Sequence, residues 1–332
     1  MEKSKKQRAI SGIRPTGKLH LGHLIGVLDN WREMQENFKC FFFVADWHAL
    51  TTEYDDPSKI KVYSKEMVLD WLAAGIDPEK GIIFLQSDIK EHAELYLMLS
   101  MIVPIPWLER VPSYKEIKEE LTNKDLSTYG FLGYPVLQAS DILIYKADVV
   151  PVGIDQVPHV ELTREIARRF NNLYGTETFV EPQAKLTVTP KLLGLDGRKM
   201  GKSYNNCIYL SDPREVVSEK VMHMMTDPLR VKRSDCGDPE VSIVFGYHKI
   251  FSPHEKVKEI GEKCRTAQIG CVECKKELIK NLWGYLEQFQ FRRSDISKKW
   301  KDVDDIFFEG GKKAREFSSK TIKEIKEAMK II

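Results

Sequence analysis

The stretch from Arg8 to Leu28, RAISGIRPTGKLHLGHLIGVL, leaves few folds open. Ala9 and Ile10 lead a short strand into Ser11-Gly12, and Pro15 and Gly17 punctuate the turn that follows. From Leu21 the apolar residues recur at Leu24, Ile25, Leu28 and Trp31, which is the spacing of one helix face. His20 and His23 therefore stand about one turn apart at a helix N-terminus, where free N–H groups and a partial positive charge attract anions. Two imidazoles there can donate hydrogen bonds to phosphate oxygens. Gly22 between them lets a flat base press on the backbone. Taken alone, H-x-G-H fits a solvated loop with two incidental histidines equally well.

The alternation continues downstream. Cys40–Ala45 (CFFFVA) reads as a buried strand that ends in Asp46-Trp47-His48. Residues 59–74 read as a helix, and Gly81–Leu85 (GIIFL) as a strand leaving through Gln86-Ser87. This pattern predicts an α/β fold with a Rossmann-like, doubly wound parallel sheet, whose ligands bind beyond the C-terminal strand ends. Residues 91–107 are too apolar for one helix face, so that helix is buried all round or meets another subunit. A charged helix is expected over 113–121. Over 130–145, Tyr134, Gln138 and Asp141 fall three and four apart on one helix face, and a buried carboxylate among Leu and Ile needs a partner. Val149–Val152 is a strand ending in Gly153-Ile154-Asp155-Gln156, and 159–170 a helix.

Past a Gly- and Lys-rich loop at 190–203 the character shifts to charged helices. The expected division is a catalytic domain over 1–190, with a helical connective segment at 86–133. A loop follows at 191–205, then a helical domain over 206–300 and a last amphipathic helix over 301–332. Ala314, Phe317, Thr321, Ile325, Ala328 and Ile332 line one side of that helix, which must dock on something. The net charge of +2 is too small to argue for nucleic acid by itself. Arg292-Arg293, Lys298-Lys299, Lys312-Lys313 and Arg315 read as solvated helix surface. No apolar run is long enough to span a bilayer, and a cytoplasmic protein is expected. Of six cysteines, Cys40 and Cys207 are isolated, while Cys236, Cys264, Cys271 and Cys274 form C-x27-C-x6-C-x2-C. The C-x2-C pair can set two thiolates on one ion, and four thiolates suit zinc or an iron–sulfur cluster.

HLGH at 20–23 and KMGKS at 199–203 together resemble the HIGH and KMSKS signatures of class I aminoacyl-tRNA synthetases. Within that class, SGIRPTGKLHLGH, FVADWHALTT, YPVLQASDILIY, VPVGIDQVPHVELTREIARRF and GRKMGKS are similar to the blocks of the tryptophanyl-tRNA synthetases, in their usual order and over nearly the whole chain. The resemblance implies activation of L-tryptophan with ATP and Mg2+, transfer to tRNA(Trp), and a homodimer. It implies that His20, His23, Lys199 and Lys202 serve catalysis. Arg14, Pro15, Thr16, Gly22, His23, Gly153, Ile154 and Asp155 would hold ATP, with the loop Lys199, Met200, Gly201, Lys202 and Ser203. Asp141 would accept the indole N–H, and Tyr134, Gln138, Gln156, His48, Val150 and Val152 would surround the amino acid. A subset of bacterial members carries a four-iron cluster near the anticodon-binding region. That tips the metal from Zn2+ to [4Fe–4S], with Cys236, Cys264, Cys271 and Cys274 as ligands.

The chain departs from the family pattern at Gly201, which replaces the first serine of KMSKS, and at Arg14, Ile154 and Gln138. Indole N–H is a donor only, so one buried carboxylate suffices to receive it. The alternatives are a tyrosyl-tRNA synthetase, where Y-P-x-x-Q-x-x-D also occurs, and a synthetase-like RNA-binding protein that does not charge tRNA.

Overall fold

The computed structural model describes residues 6–112, 125–186, 192–228, 230–298 and 301–332. Five parallel strands form one sheet: β1 (Arg8–Ile13), β2 (Lys39–Val44), β3 (Gly81–Leu85), β4 (Val149–Val152) and β5 (Gln183–Leu186), in the order β3-β2-β1-β4-β5. The expected doubly wound sheet is therefore present. β5 lies outside the expectation: QAKL has no apolar run, and it pairs with β4 as a half-exposed edge, Val149 opposite Gln183.

Alternation along the strands divides the core between the two faces of the sheet. Cys40, Phe42 and Val44 of β2 face one hydrophobic cluster, and Phe41, Phe43 and Ala45 the other. On the first face lie α1 (Asp29–Asn37) and α3 (Ile60–Ala73), where Trp31 stacks on Phe42 at 4.4 Å and meets Trp71 edge-on at 5.0 Å. The second face is covered by α4 (Glu91–Ser100), α6 (Tyr129–Leu143) and α7 (Val157–Tyr174). Between them run the short α2 (Asp46–Glu53) and α5 (Ile105–Glu109).

The single apolar helix expected over 91–107 is broken. α4 stops at Ser100, and Pro104 directly precedes α5, because a proline cannot continue the helical hydrogen-bond ladder. Leu95 and Leu99 are buried, while Leu97, Met101 and Ile105 are exposed. The helix expected over 113–121 lies outside the described residues.

Beyond residue 206 the described chain is helical: α8 (Arg214–His223), α9 (Ile243–Phe251), α10 (His254–Arg265), α11 (Cys271–Ser297) and α12 (Lys301–Ala328). Leu278, Leu282, Leu286 and Phe289 of α11 join the same cluster as Trp31 and Trp71, so these helices share a core with the first face of the sheet. Arg293 is not solvated surface. Its guanidinium meets Glu66 and, at 2.6 Å, Asp70 on α3, while Arg292 donates to the Ala73 carbonyl. Burial pushes Asp70 up to about 6 even with Arg293 beside it.

α12 crosses the sheet edge. Val303 and Phe307 pack into the first cluster, whereas Ala314, Ile322 and Ile325 pack into the second. The crossing is made at Gly310, where an added Cβ would lie 1.7 Å from the Ile83 carbonyl oxygen, so only glycine lets the helix touch β3. The outer edge of β3 is thereby covered, which removes a free strand edge from solvent. Among the described residues no helix is long and apolar enough to cross a membrane.

Candidate active site

β1 and β4 are neighbours in the sheet, but their connections leave in opposite directions, so the crevice between their C-terminal ends is the topological switch point. A cavity of about 350 Å³ opens there, lined by Ile10 to Arg14 of β1 and its exit and by Val150 to Gly153 of β4. α6 adds Tyr134, Gln138 and Asp141 to the same cavity, and His48, Gln156 and His159 complete its polar wall. The residues expected around the amino acid are thus brought together. Ile10, Val150 and Val152 give the cavity an apolar floor.

Asp141 is 1% exposed and its carboxylate is met by three side chains, His48, Gln86 and His92. Its Oδ2 is 2.8 Å from His48 Nε2; its Oδ1 is 2.6 Å from His92 Nδ1 and receives Gln86 Nε2 at 2.8 Å. Gln86 is oriented in turn, because its Oε1 accepts the His48 backbone N–H at 3.4 Å. Burial alone would raise the Asp141 pKa, but the bonds from His48 and His92 outweigh it and hold the carboxyl below its usual range. Asp141 is therefore a fixed anion and a pure acceptor. Burial, and then His48, bring the neighbouring His159 down to about 4.

The second half of the site lies beside Arg14. His20 caps a first helical turn, Leu21–His23, which passes through a π-helical turn, Leu24–Leu28, into α1. His23 Nδ1 accepts the His20 N–H at 3.3 Å, and the two rings lie 3.8 Å apart. A Cβ at Gly22 would stand 3.0 Å from the His20 ring, so any side chain there would press on the imidazole. Burial and the nearby Lys202 bring His20 down to about 4, and burial lowers His23 too, so both rings are neutral donors or acceptors at physiological pH. His20 Nδ1 is buried and finds no partner among the described residues.

The lysine loop reaches this turn because the segment after it pairs with the first signature. Leu21 N–H donates to the Ile208 carbonyl and Leu210 N–H to the Leu19 carbonyl. Lys202 Nζ then donates to the Gly17 carbonyl at 2.9 Å, and Met200 is buried near Gly22. Burial, followed by the Arg14 charge, brings Lys202 down to about 8. Glu53 acts on both Arg14 and Lys202 and offsets part of their charge; the positive charge that remains suits a phosphate group. Arg14 carries on directly into the turn, with the Thr16 N–H on the Arg14 carbonyl and Pro15 buried between them. Lys199 is mostly exposed, with its ammonium 3.7 Å from Asp155 Oδ2; Ile154 beside it is also exposed. These three sit at the rim rather than in the cavity. The Ser203 side chain lies outside the described residues.

Three residues of this arrangement lie outside the sequence expectation. Gln86 and His92 stand behind Asp141. Asn206 staples the lysine loop: its amide accepts the Gly201 N–H and donates to Asp196 and to the Lys199 carbonyl. That bond from Asn206 is the main reason Asp196 stays down at about 2.

Far from the cavity, Cys271 and Cys274 occupy the first turn of α11, one helical turn apart on the same side. Burial and the neighbouring Cys264 and Cys271 push the Cys274 thiol up to about 12. A Cβ on Gly237, next to Cys236, would lie 2.8 Å from Cys264 Sγ, which brings the Cys236 segment against Cys264. Cys236 itself is exposed. Among the described residues no three His, Cys, Asp or Glu side chains stand in an arrangement that could hold a metal ion.

The sheet, with a cavity at its switch point, paired histidines on a helix N-terminus and a lysine loop folded onto them, is the Rossmann-like fold of class I aminoacyl-tRNA synthetases. The family model for class I tRNA synthetases (W and Y) matches residues 2–286, and the chain belongs to that family. It is 57% identical to a tryptophan–tRNA ligase of Thermotoga maritima, over 98% of this chain and 99% of that protein. It is 44% identical to a tryptophan–tRNA ligase of Aquifex aeolicus, over 98% of this chain and 100% of that one. Among solved structures it resembles tryptophanyl-tRNA synthetase from Campylobacter jejuni complexed with ADP and tryptophan, at a TM-score of 0.87 and 32% identity, covering 97% of this chain and 99% of that chain.

Proposed function

We infer that the chain is a tryptophan–tRNA ligase. It activates L-tryptophan with ATP to the aminoacyl-adenylate, releasing pyrophosphate, and then transfers the tryptophanyl group to tRNA(Trp). The observation that carries this reading is the fixed, ionised Asp141 in the same cavity as Arg14. A donor-only indole edge meets the carboxylate, and the amino acid's own carboxylate points toward the phosphates. That carboxylate attacks the α-phosphorus in line, and the bond to pyrophosphate breaks. No protein nucleophile is required, so the residues act by positioning and by neutralising charge.

In this scheme His20, Gly22 and His23 receive the nucleotide at the helix N-terminus, with Arg14, Pro15, Thr16 and Gly153 around it. Lys202, already at the turn, and Lys199, exposed at the rim beside Asp155, neutralise the departing pyrophosphate. Asp155 and Met200 support that loop. Mg2+ enters with ATP as part of the substrate. Tyr134, Gln138, Gln156, His48, Val150 and Val152 enclose the amino acid. We assign the anticodon end to residues 206–300, and the reaction to 1–190 with the loop at 191–205.

Pyrophosphate–ATP exchange run with each aromatic amino acid tests this reading. Tryptophan alone should drive it. Asp141→Asn should raise the tryptophan KM by roughly tenfold or more while leaving the ATP KM nearly unchanged, because one buried group left without its partner costs about 1–3 kcal/mol. Exchange driven by tyrosine and not by tryptophan would overturn the assignment in favour of a tyrosine enzyme.

We propose further that Cys236, Cys264, Cys271 and Cys274 hold a [4Fe–4S] cluster. The approach of the Cys236 segment to Cys264 supports it, as does the placing of Cys271 and Cys274 in one helical turn; burial, with neighbouring thiols adding to it, raises Cys264 and Cys274, which a metal would reverse. The cluster would be structural, tying α10 to α11, since aminoacylation transfers no electron. Anaerobically purified protein should be brown, and Cys271→Ser should bleach it. Stoichiometric zinc in a colourless preparation would move the site to zinc, and no metal by elemental analysis would end the proposal.

A homodimer is proposed on the exposed apolar residues Leu97, Met101 and Ile105, with Tyr129 of α6. Light scattering at micromolar concentration should give twice the chain mass; a monomer would contradict it.

A further inference from the structure

We propose that His92 is a positioning residue for Asp141 and, through it, for the selection of tryptophan. The inference rests on the reading of Asp141 as the indole acceptor.

The second torsion of an aspartate side chain is broad, so the helix alone does not fix the plane of the Asp141 carboxylate. Its donors must. Of the three, His48 lines the cavity, whereas Gln86 and His92 stand behind the carboxylate and are fully buried. His92 makes the shortest of these contacts, Nδ1 to Oδ1 at 2.6 Å. Its other nitrogen, Nε2, is 2.8 Å from the Tyr145 hydroxyl. Burial, and then the Asp141 charge, raise Tyr145 well above its ordinary range, so its O–H stays protonated and can donate. The ionised carboxylate can only accept. The proton of the His92 ring is thereby placed on Nδ1, with Nε2 receiving the Tyr145 O–H. Phe43 and Phe84 flank the ring at 6.2 and 6.1 Å and deny it another partner.

This division leaves the front of the carboxylate to exchange partners while the back stays fixed. Oδ1 is taken by His92 and Gln86, while Oδ2 receives Gln86 at 3.0 Å from behind and faces His48, the one donor of the three that shares the cavity. When an indole N–H arrives, His48 can yield or share, and the carboxylate keeps its orientation. The charged and titratable groups around this point are His48 from α2, Glu91 and His92 from α4, Tyr145 after α6, His159 from α7 and Arg315 from α12. Among them His48 and His92 hold Asp141 ionised. Without the His92 bond its pKa rises, so an acceptor role is lost at a higher pH than in the wild type.

Two variants separate positioning from mere packing. An asparagine amide can stand close to where Nδ1 stood, so His92→Asn keeps a donor for Asp141. A glutamine amide reaches instead toward the Tyr145 side, so His92→Gln keeps polarity but loses that donor. In pyrophosphate exchange, His92→Gln should raise the tryptophan KM roughly tenfold or more with the ATP KM unchanged. The acid limb of its kcat/KM profile for tryptophan should move to higher pH, and His92→Asn should restore both. Equal damage in the two variants, or an unmoved tryptophan KM and acid limb in His92→Gln, would overturn the proposal.

Asp141→Asn run alongside tells the two failures apart. If it leaves tryptophan selection intact, the reading of Asp141 fails; if it abolishes selection while His92→Gln does not, only the role of His92 fails. A measurement on the wild type needs no folded variant: long-range 1H–15N spectra of labelled histidine should show His92 protonated at Nδ1. The opposite tautomer could not donate to Asp141 and would overturn the proposal equally.

Discussion

The structure depends on one buried negative charge. A carboxylate taken out of water without partners is strongly disfavoured, and the ordinary outcome is protonation. At Asp141 the outcome is reversed by side chains that arrive from three separate elements: His48 from α2, Gln86 from the exit of β3 and His92 from α4. All three reach the carboxylate because β2 and β3 lie side by side in register and end at the same level, with Val44 opposite Leu85. The sheet thus sets the acceptor, and the acceptor's demand for donors explains why three polar residues sit in an otherwise apolar layer.

The same sheet joins the two halves of the chemistry. The crevice between β1 and β4 places Arg14 and Asp141 on the wall of a single cavity. Backbone pairing of Leu19 and Leu21 with Ile208 and Leu210 draws the lysine loop onto the histidine-bearing turn, although nearly two hundred residues of sequence separate Lys202 from Gly17. Lys202 and Arg14 then face one another with their charges partly desolvated. Glu53 acts on both and offsets part of that charge, and the remainder favours an anion at this turn.

Much of this was legible in the sequence, for physical reasons that differ by element. The strands CFFFV and GIIFL announce themselves because a sheet covered on both faces must be apolar on both. Tyr134, Gln138 and Asp141 could be placed on one face because helix periodicity is rigid. β5 was not legible: QAKL is an edge strand with little burial, so nothing selects its side chains for a pattern. Nor was the break at Pro104 drawn, since the apolar run on either side of it masked the proline. His92 left a faint signal. It shares a buried face with Leu95 and Leu99, and a histidine at that spacing needs a partner, but the sequence does not say which. Arg293 misled, because a charge on a helix is usually solvated and only the tertiary fold brings Asp70 and Glu66 to it. Asn206 was invisible, since its partners are loop atoms.

The central claim is that a fixed anionic acceptor reads the indole N–H. Isothermal titration of the wild-type protein with L-tryptophan and with its benzothienyl analogue, in which sulfur replaces that N–H at nearly constant shape, tests it most directly. The analogue should bind roughly tenfold or more weakly, since it leaves Asp141 without the donor its site awaits. Equal affinity for the two would contradict the account.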